Sequence, residues 1–258
     1  MYFAGVDAGS RTIKVVIIKG SDLTVSGFGI VDQGVRQAVK AKELLDKVIR
    51  NSKIKIKDIG GIVATGYGRN ALSWADSKVT EITCQAYGVK QEIPNARMII
   101  DIGGQDSKII HLDSNGIVND FVMNDRCAAG TGRFLEVVAD RLEIKLKDIG
   151  RYSDKAASPS KISSMCVVFA EAEIVGLLAA EEAPENILAG VQNSIAKRIC
   201  IMAGSGFKGP VVFTGGVALL PGMKKALQDC LEHSINVVKT PQFTGAFGAA
   251  LLAAKDKY

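Results

Sequence analysis

The chain opens with three short runs rich in β-branched residues, 2–7, 12–19 and 24–32. They are separated by Gly9-Ser10 and Gly20-Ser21-Asp22, a pattern of strands joined by hairpin turns. The period then changes. Ala38, Ala41, Leu44, Leu45, Val48 and Ile49 form one helical stripe. Residues 61–65 read as a buried strand, 66–70 as a loop, and 81–93 as a second helix ended by Pro94. The same order then begins again, with strands at 98–101, 107–112 and 116–123. Helices follow at 134–142, 167–180 and 185–203, then a strand at 210–213, a helix from 221 to 233 and a strand at 235–238. An alanine-rich helix closes the chain and is expected to pack back on the first domain.

The repeat is also chemical. The first strand carries Gly5-Val6-Asp7-Ala8-Gly9-Ser10 with Lys14 beyond it. The first strand of the restarted order carries Ile100-Asp101-Ile102-Gly103-Gly104-Gln105-Asp106 with Lys108 beyond it, about 100 residues later. Two homologous domains are expected, each turning an aspartate and a glycine hairpin toward a shared cleft. Glycine hairpins let backbone N–H groups approach phosphate oxygens, so the pair suits a polyphosphate. One carboxylate can hold Mg²⁺ through water and the other can position an attacking water. Thr214-Gly215-Gly216 offers a third glycine turn. No Gly-Lys dipeptide occurs, which excludes a P-loop, and Gly130-Thr131-Gly132 lacks the third glycine of a Rossmann fingerprint.

Composition narrows the classes without naming one. With 258 residues there is room for one large or two medium domains, and 47% hydrophobic and 23% charged residues are ordinary for a globular chain. The net charge of +5 is spread, since Ile54 and Ile56 interrupt Lys53, Lys55 and Lys57, so a nucleic-acid partner is not expected. No basic leader precedes the first strand, and no apolar run approaches the ~18 residues of a membrane span, so a cytoplasmic protein with no membrane association is expected. Five cysteines, an odd number without a C-x-x-C pair, argue against a disulfide framework.

One of those cysteines stands out. In Asn124-Asp125-Arg126-Cys127-Ala128-Ala129-Gly130-Thr131-Gly132-Arg133-Phe134 a thiol and a glycine turn precede a helix marked by Phe134, Leu135, Val137, Val138, Ala139 and Leu142. A helix start presents free N–H groups and a positive dipole end, which suits either a phosphate or a metal-bound thiolate. A small buried filler is the alternative for any single cysteine.

At these residues the chain resembles the sugar kinase, heat-shock 70 and actin superfamily of ATPases. Residues 5–14 look like its first phosphate loop, 99–108 its second and 211–218 its adenosine loop. The strings Ala64-Thr65-Gly66-Tyr67-Gly68-Arg69-Asn70, Asp101-Ile102-Gly103-Gly104-Gln105-Asp106 and Cys166-Val167-Val168-Phe169-Ala170-Glu171 narrow this further. With the stretch around Cys127 they are similar to activators of 2-hydroxyacyl-CoA dehydratases, a family that includes ATPase subunits of benzoyl-CoA reductase.

The resemblance implies an α/β fold of two duplicated actin-like ATPase domains, ribonuclease H-like βββαβα units with a nucleotide cleft between them. The first would comprise residues 1–94 completed by a C-terminal helix 244–258, and the second residues 95–243. It implies a homodimer with one 4Fe-4S cluster on its axis, held by Cys127 and Cys166 of each subunit. That arrangement would supply four thiolates where one chain has no four-cysteine pattern. Cys84, Cys200 and Cys230 are left as filler. ATP, ADP and Mg²⁺ would be bound by Gly9, Ser10, Arg11, Thr12, Lys14, Gly103, Gly104, Asp106, Lys108, Gly130, Thr131, Gly132, Gly215, Gly216 and Gln242. Asp7 (Mg²⁺), Asp101 (general base) and Gln105 (water orientation) would carry the catalysis, although the two aspartates could exchange roles. Ferredoxin or flavodoxin would be the reductant, and a 2-hydroxyacyl-CoA dehydratase the transient partner receiving one electron. Three other readings remain: a small-molecule kinase using Asp101 to deprotonate a hydroxyl, an ATPase subunit of a benzoyl-CoA reductase-type enzyme, and an actin-type scaffold. His111 and His233 are expected to be structural, and Trp74 and Tyr67 to pack in the core.

Overall fold

The structure, a computed structural model, describes residues 1–163 and 166–255. In chain order its elements are β1 (Tyr2–Ala8), β2 (Thr12–Lys19), β3 (Val25–Asp32), α1 (Gln37–Asn51), β4 (Ile59–Thr65), β5 (Ser77–Lys78) and α2 (Glu81–Glu92). Then come β6 (Met98–Ile102), β7 (Ser107–Leu112), β8 (Val118–Asn124), α3 (Gly132–Arg141), α4 (Ile149–Ser153), α5 (Val167–Ala179) and α6 (Pro184–Ala203). The chain finishes with β9 (Val211–Thr214), α7 (Met223–Leu231), β10 (Ile235–Val237) and α8 (Thr244–Lys255). The periodicity locates every long element. It misses β5 and α4, two and five residues long, which are too short to show a period. The C-terminal helix is expected to run to 258, but residues 256–258 lie outside the described residues.

Two compact units are present. One comprises Met1–Ala96, Leu112–Asn119 and the chain from Val238 onward, and the other Arg97–His111 and Asp120–Val237. Each has one five-stranded sheet, ordered β3-β2-β1-β4-β5 in the first and β10-β9-β6-β7-β8 in the second. Read from its third strand, each sheet runs third, second, first, fourth, fifth, so the duplication seen in the sequence is a duplication of topology. This is the arrangement expected of two actin-like ATPase domains.

In the first unit β1 pairs antiparallel with β2 and parallel with β4. Val6, Val15, Ile17 and Ala64 face α1, whose Leu44, Leu45, Val48 and Ile49 complete that core. The opposite face carries Phe3, Val16, Ile18 and Val63 against the alanines of α8. Close approach there depends on Gly5, where a Cβ would fall 1.9 Å from the Ala246 carbonyl oxygen. Gly248 likewise lets α8 lie against α2, since a Cβ there would fall 1.8 Å from the Cys84 carbonyl oxygen. Helix α2 begins on Thr80, whose hydroxyl accepts from the Thr83 N–H and fills one of the free donors of the first turn.

In the second unit β6 is buried along its whole length, as a central strand covered on both faces must be, and it pairs antiparallel with β7 and parallel with β9. Its core joins Met98, Ile100 and Phe213 to Phe134 and Val138 of α3 and to Ile187, Val191 and Ile195 of α6. Among the described residues no helix is long and apolar enough to cross a membrane.

Candidate functional site

The two repeated strings build two cradles of the same design, one in each unit. On β1 the carboxylate of Asp7 stands opposite Lys14 of β2 and Thr65 of β4 in strand register, and Lys14 Nζ lies 3.3 Å from Asp7 Oδ2. On β6 the carboxylate of Asp101 stands opposite Lys108 of β7 and Thr214 of β9, with Lys108 Nζ 3.6 Å from Asp101 Oδ2. Directly opposed strand residues share a face, so each aspartate is flanked by a cation on one side and a hydroxyl on the other. Both hairpin turns close with one hydrogen bond. Gly9 N–H donates to the Thr12 carbonyl at 3.1 Å and Gly103 N–H to the Asp106 carbonyl at 2.9 Å.

A glycine with positive φ follows each threonine: Gly66 at +85° and Gly215 at +86°. A Cβ at Gly66 would lie 2.3 Å from Asp7 Oδ1, and one at Gly215 would lie 2.6 Å from Asp101 Oδ1 and 2.3 Å from the Ile102 carbonyl oxygen. The chain can turn against the carboxylate only because these positions lack a side chain. The sequence marks Thr214-Gly215 as a third glycine turn but does not reveal Thr65-Gly66 as its counterpart. Each is a Thr-Gly pair ending a buried strand parallel to the aspartate strand, and that shared position is the signal that finds both.

The cradles differ in how completely their polar atoms are satisfied. Asp101 and Lys108 are 5% and 3% exposed. Thr214 Oγ1 donates to Asp101 Oδ1 at 3.3 Å, and Lys108 Nζ also lies 2.7 Å from Asp106 Oδ2. In the first unit Asp7 and Lys14 keep side-chain exposures of 15% and 16%. Gln85 Oε1 on α2 is buried without a hydrogen-bond partner among the described residues, and the buried Thr65 hydroxyl meets the Cys84 thiol rather than the Asp7 carboxylate. That contact is a hydrogen-bonding one, and burial pushes the Cys84 thiol up to about 12. A Cβ at Gly245, in the first turn of α8, would stand 3.6 Å from both Asp7 Oδ2 and Gln85 Nε2. Gln85 is a buried polar residue that the sequence motifs do not mark. It sits within the buried arc of α2, with Ile82, Ala86 and Val89, where an amide is out of pattern.

The remaining predicted residues divide between the units. Ser10 and Arg11 lie in the hairpin turn after β1, with Arg11 exposed, Thr12 opens β2, and Gln242 lies half-buried in the 3₁₀ turn (Pro241–Phe243) before α8. Gln105 is exposed at the tip of the second hairpin, and Gly216 opens a short 3₁₀ turn with open space on the side where a Cβ would stand. Gly130, Thr131 and Gly132 do not form the open helix start that the sequence leads one to expect. Gly132 N–H donates to the Gly103 carbonyl at 2.9 Å and Arg133 N–H to the Gly104 carbonyl at 2.8 Å. The first turn of α3 is therefore docked on the second glycine hairpin, and with the Thr131 and Phe134 N–H groups on the Ala128 and Thr131 carbonyls none of its first four donors is free.

Upstream of that contact Asn124 clamps the Cys127 backbone. Its amide donates to the Cys127 carbonyl at 2.8 Å and accepts from the Cys127 N–H at 3.2 Å. Cys127 is half-buried, and Cys166 is exposed at the cap of α5, a helix whose Val168 and Phe169 are 71% and 70% exposed. Among the described residues no group of three or more potential metal ligands occurs within the chain. Of the cysteines read as filler, Cys84 is buried, but Cys230 is exposed and lies beside Cys200. Tyr67, expected in the core, is 73% exposed in the loop after β4. That loop is held by the Gly68 N–H on the Ala8 carbonyl and by Arg69, which binds the Gly66 carbonyl and Glu81. His233 is structural as expected, its ring 2.9 Å from the Gly209 carbonyl oxygen.

A model of the BadF/BadG/BcrA/BcrD ATPase family matches residues 4–253. The activator of lactoyl-CoA dehydratase from Anaerotignum propionicum is 45% identical over 255 residues, 98% of this chain and 97% of that protein. Two solved structures superpose closely. The activator of the 2-hydroxyisocaproyl-CoA dehydratase from Clostridium difficile, with bound ADPNP, does so with a TM-score of 0.93 at 39% identity, over 99% of this chain and 95% of the other. Component A of the (R)-2-hydroxyglutaryl-CoA dehydratase of Acidaminococcus fermentans gives 0.94 at 39%, over 99% and 98%.

Proposed function

The chain belongs to the BadF/BadG/BcrA/BcrD ATPase family, and on that premise we propose that it hydrolyses ATP to drive single electrons into a 2-hydroxyacyl-CoA dehydratase. The observation that carries the reading is the near end-to-end likeness to proteins named as dehydratase activators. Ferredoxin or flavodoxin would supply the electron, and the working form would be a homodimer.

The residues fit the groups this function needs. Mg²⁺ takes oxygen ligands, commonly one or two carboxylates with the rest water. The first cradle offers Asp7, which with its partner Lys14 keeps 15% and 16% side-chain exposure, whereas in the second the buried Asp101 is held by Thr214 as well as by Lys108. This contrast supports Asp7 as the carboxylate toward Mg²⁺ and Asp101 as the group that orients the attacking water. When bound, Mg²⁺ would supply charge neutralisation of the phosphates. Gly9, Ser10, Arg11, Thr12 and Lys14 would hold phosphate oxygens with Gly103, Gly104, Asp106 and Lys108. Gln105 would help orient the water, while Gly215, Gly216 and Gln242 would contact the nucleotide.

Two thiols per chain fit half of a cubane's four ligands, and a second copy would provide the other two. Cys127 and Cys166 would hold the 4Fe-4S cluster, which when bound supplies a one-electron carrier. The chain's own contribution is mechanical. A shift of the Gly103-Gly104 hairpin would be passed by its two hydrogen bonds to the start of α3, and through Gly130 to the Asn124-clamped Cys127.

Iron analysis of protein purified without oxygen tests the reading, with Cys127→Ser and Cys166→Ser alongside. About four irons per dimer, lost in either variant, and ATP hydrolysis without any phosphoryl acceptor are expected. An iron-free protein after anaerobic reconstitution that transfers phosphate to an acceptor would overturn it in favour of a kinase.

A further inference from the structure

Gln33 lies between β3 and α1, and Gln37 is the first residue of α1, yet both turn their amides back onto the first glycine hairpin. Gln37 Nε2 donates to the Ala8 carbonyl at 3.3 Å and to the Gly9 carbonyl at 3.4 Å. The Gln33 amide faces carbonyls, which makes its nitrogen the atom turned toward them. It donates to the Gly9 carbonyl at 3.1 Å and to the Ser10 carbonyl, while its oxygen accepts from Gln37 Nε2 at 2.9 Å. The Gln33 main-chain N–H donates to the Arg11 carbonyl at 3.1 Å, and the Gly68 N–H to the Ala8 carbonyl at 2.8 Å. Four successive carbonyls, from Ala8 to Arg11, are thus engaged by residues 33, 37 and 68.

Peptide geometry turns that grip into an orientation. In a trans peptide the C=O of one residue and the N–H of the next point in opposite directions, and among the described residues no peptide bond is cis. Holding the Gly9 and Ser10 carbonyls toward the glutamines therefore directs the Ser10 and Arg11 N–H groups away from them. Gly9 presents its bare Cα to the cradle, where a Cβ would stand 3.0 Å from Lys14 Nζ and 3.7 Å from Asp7 Oδ1.

The second hairpin is held at its carbonyls too, but by main chain: those of Gly103 and Gly104 accept from the Gly132 and Arg133 N–H groups. Helices α1 and α3 are equivalent, each following the third strand of its unit. Side-chain amides at the start of α1 thus do what backbone donors do at the start of α3, and they can be removed by substitution without touching the backbone.

We propose that Gln33 and Gln37 are positioning residues for the nucleotide's phosphates, acting through the Gly9-Ser10 hairpin by fixing its N–H groups in the orientation that receives phosphate oxygens. The inference rests on the reading that this hairpin holds phosphate.

The test measures ADP affinity of the full-length protein by titration calorimetry, and KM and kcat for ATP hydrolysis. Gln37→Met and Gln33→Met each remove the amide at nearly constant volume. Each is expected to weaken ADP binding about 3–10-fold and to raise the KM for ATP by a similar factor with kcat kept, the signature of lost ground-state binding. Both side chains are half-buried, and should one variant not fold the other carries the test. Lys40→Met is the control, because Lys40 Nζ holds the Asp32 carbonyl at 3.1 Å in the same connection. It should leave ADP affinity and KM unchanged. Natural ADP affinity in the folded glutamine variants would overturn the inference. An equal loss in Lys40→Met would do so too, since it would mark a general loosening of the connection. Lys14→Met separates the two levels. If it also binds ADP with natural affinity, the assignment of phosphate to the first cradle falls with the inference, whereas if it alone weakens binding only the roles of Gln33 and Gln37 fall.

Discussion

The first and second cradles carry the same Asp-x-Gly-x₄-Lys string on the same pair of strands, yet one is closed on itself and the other is not. Around Asp101 the lysine, the threonine and Asp106 complete one another's hydrogen bonds inside a fully buried strand. Around Asp7 the lysine and the carboxylate are partly exposed, and the Thr65 hydroxyl meets the Cys84 thiol instead of the carboxylate. Gene duplication can copy a motif while its surroundings diverge, and here the surroundings bury one copy and leave the other in reach of solvent.

The largest effect expected from that difference is on stability. Lys108→Met leaves the Asp101 carboxylate buried without its cation and should lower unfolding free energy in urea by about 3–5 kcal/mol. Lys14→Met, beside a carboxylate that still reaches solvent, should cost no more than about 1 kcal/mol. Equal losses would show that the two pairs are equally buried in solution.

Turnover should separate the aspartates next. Asp7→Asn and Asp101→Asn should each lower ATP hydrolysis by about 100-fold or more. A titration with Mg²⁺ should show a raised cation requirement only for Asp7→Asn. The opposite pattern would exchange their roles.

The glycines after the threonines come third. Alanine at Gly215 or Gly66 must adopt a left-handed conformation, which costs about 1–3 kcal/mol. Gly215→Ala should be the worse of the two, because its nearest obstacle is the Ile102 backbone oxygen, whereas at Gly66 it is the Asp7 side chain. Thermal unfolding of both variants, with circular dichroism as the readout, would rank them.

The smallest effect differs between the two cradles. Thr214→Val removes a hydrogen bond and should cost about 1 kcal/mol. Thr65→Val removes only a contact with the Cys84 thiol, a weak hydrogen-bonding group, and should be close to neutral without ligands. A loss at Thr65 as large as that at Thr214 would mean the first cradle is closed as well.

Much of this is legible in the chain. The two aspartates, their glycine hairpins and their lysines stand out because the string recurs within a recurring order of strands, and periodicity locates each long helix and strand. Gln85 and Thr65 do not stand out, because their burial near Asp7 depends on helices α2 and α8 meeting strands far away in sequence. The start of α3 differs from expectation for the same reason. Gly130-Thr131-Gly132 does mark a helix start, but whether its N–H groups are free depends on where Gly103 and Gly104 lie. Aromatic character places Tyr67 in the core, yet the Gly66 and Arg69 contacts hold its loop so that the ring points outward.

The sequence by itself determined the order and type of the elements, the duplication and the candidate groups, since these follow from local period, turn chemistry and repetition. Only the tertiary structure decided which carboxylate is paired, which hydroxyl is satisfied and which helix start is already used. Those properties depend on distances of a few ångströms between residues brought together from separate strands and helices, and no local pattern encodes them.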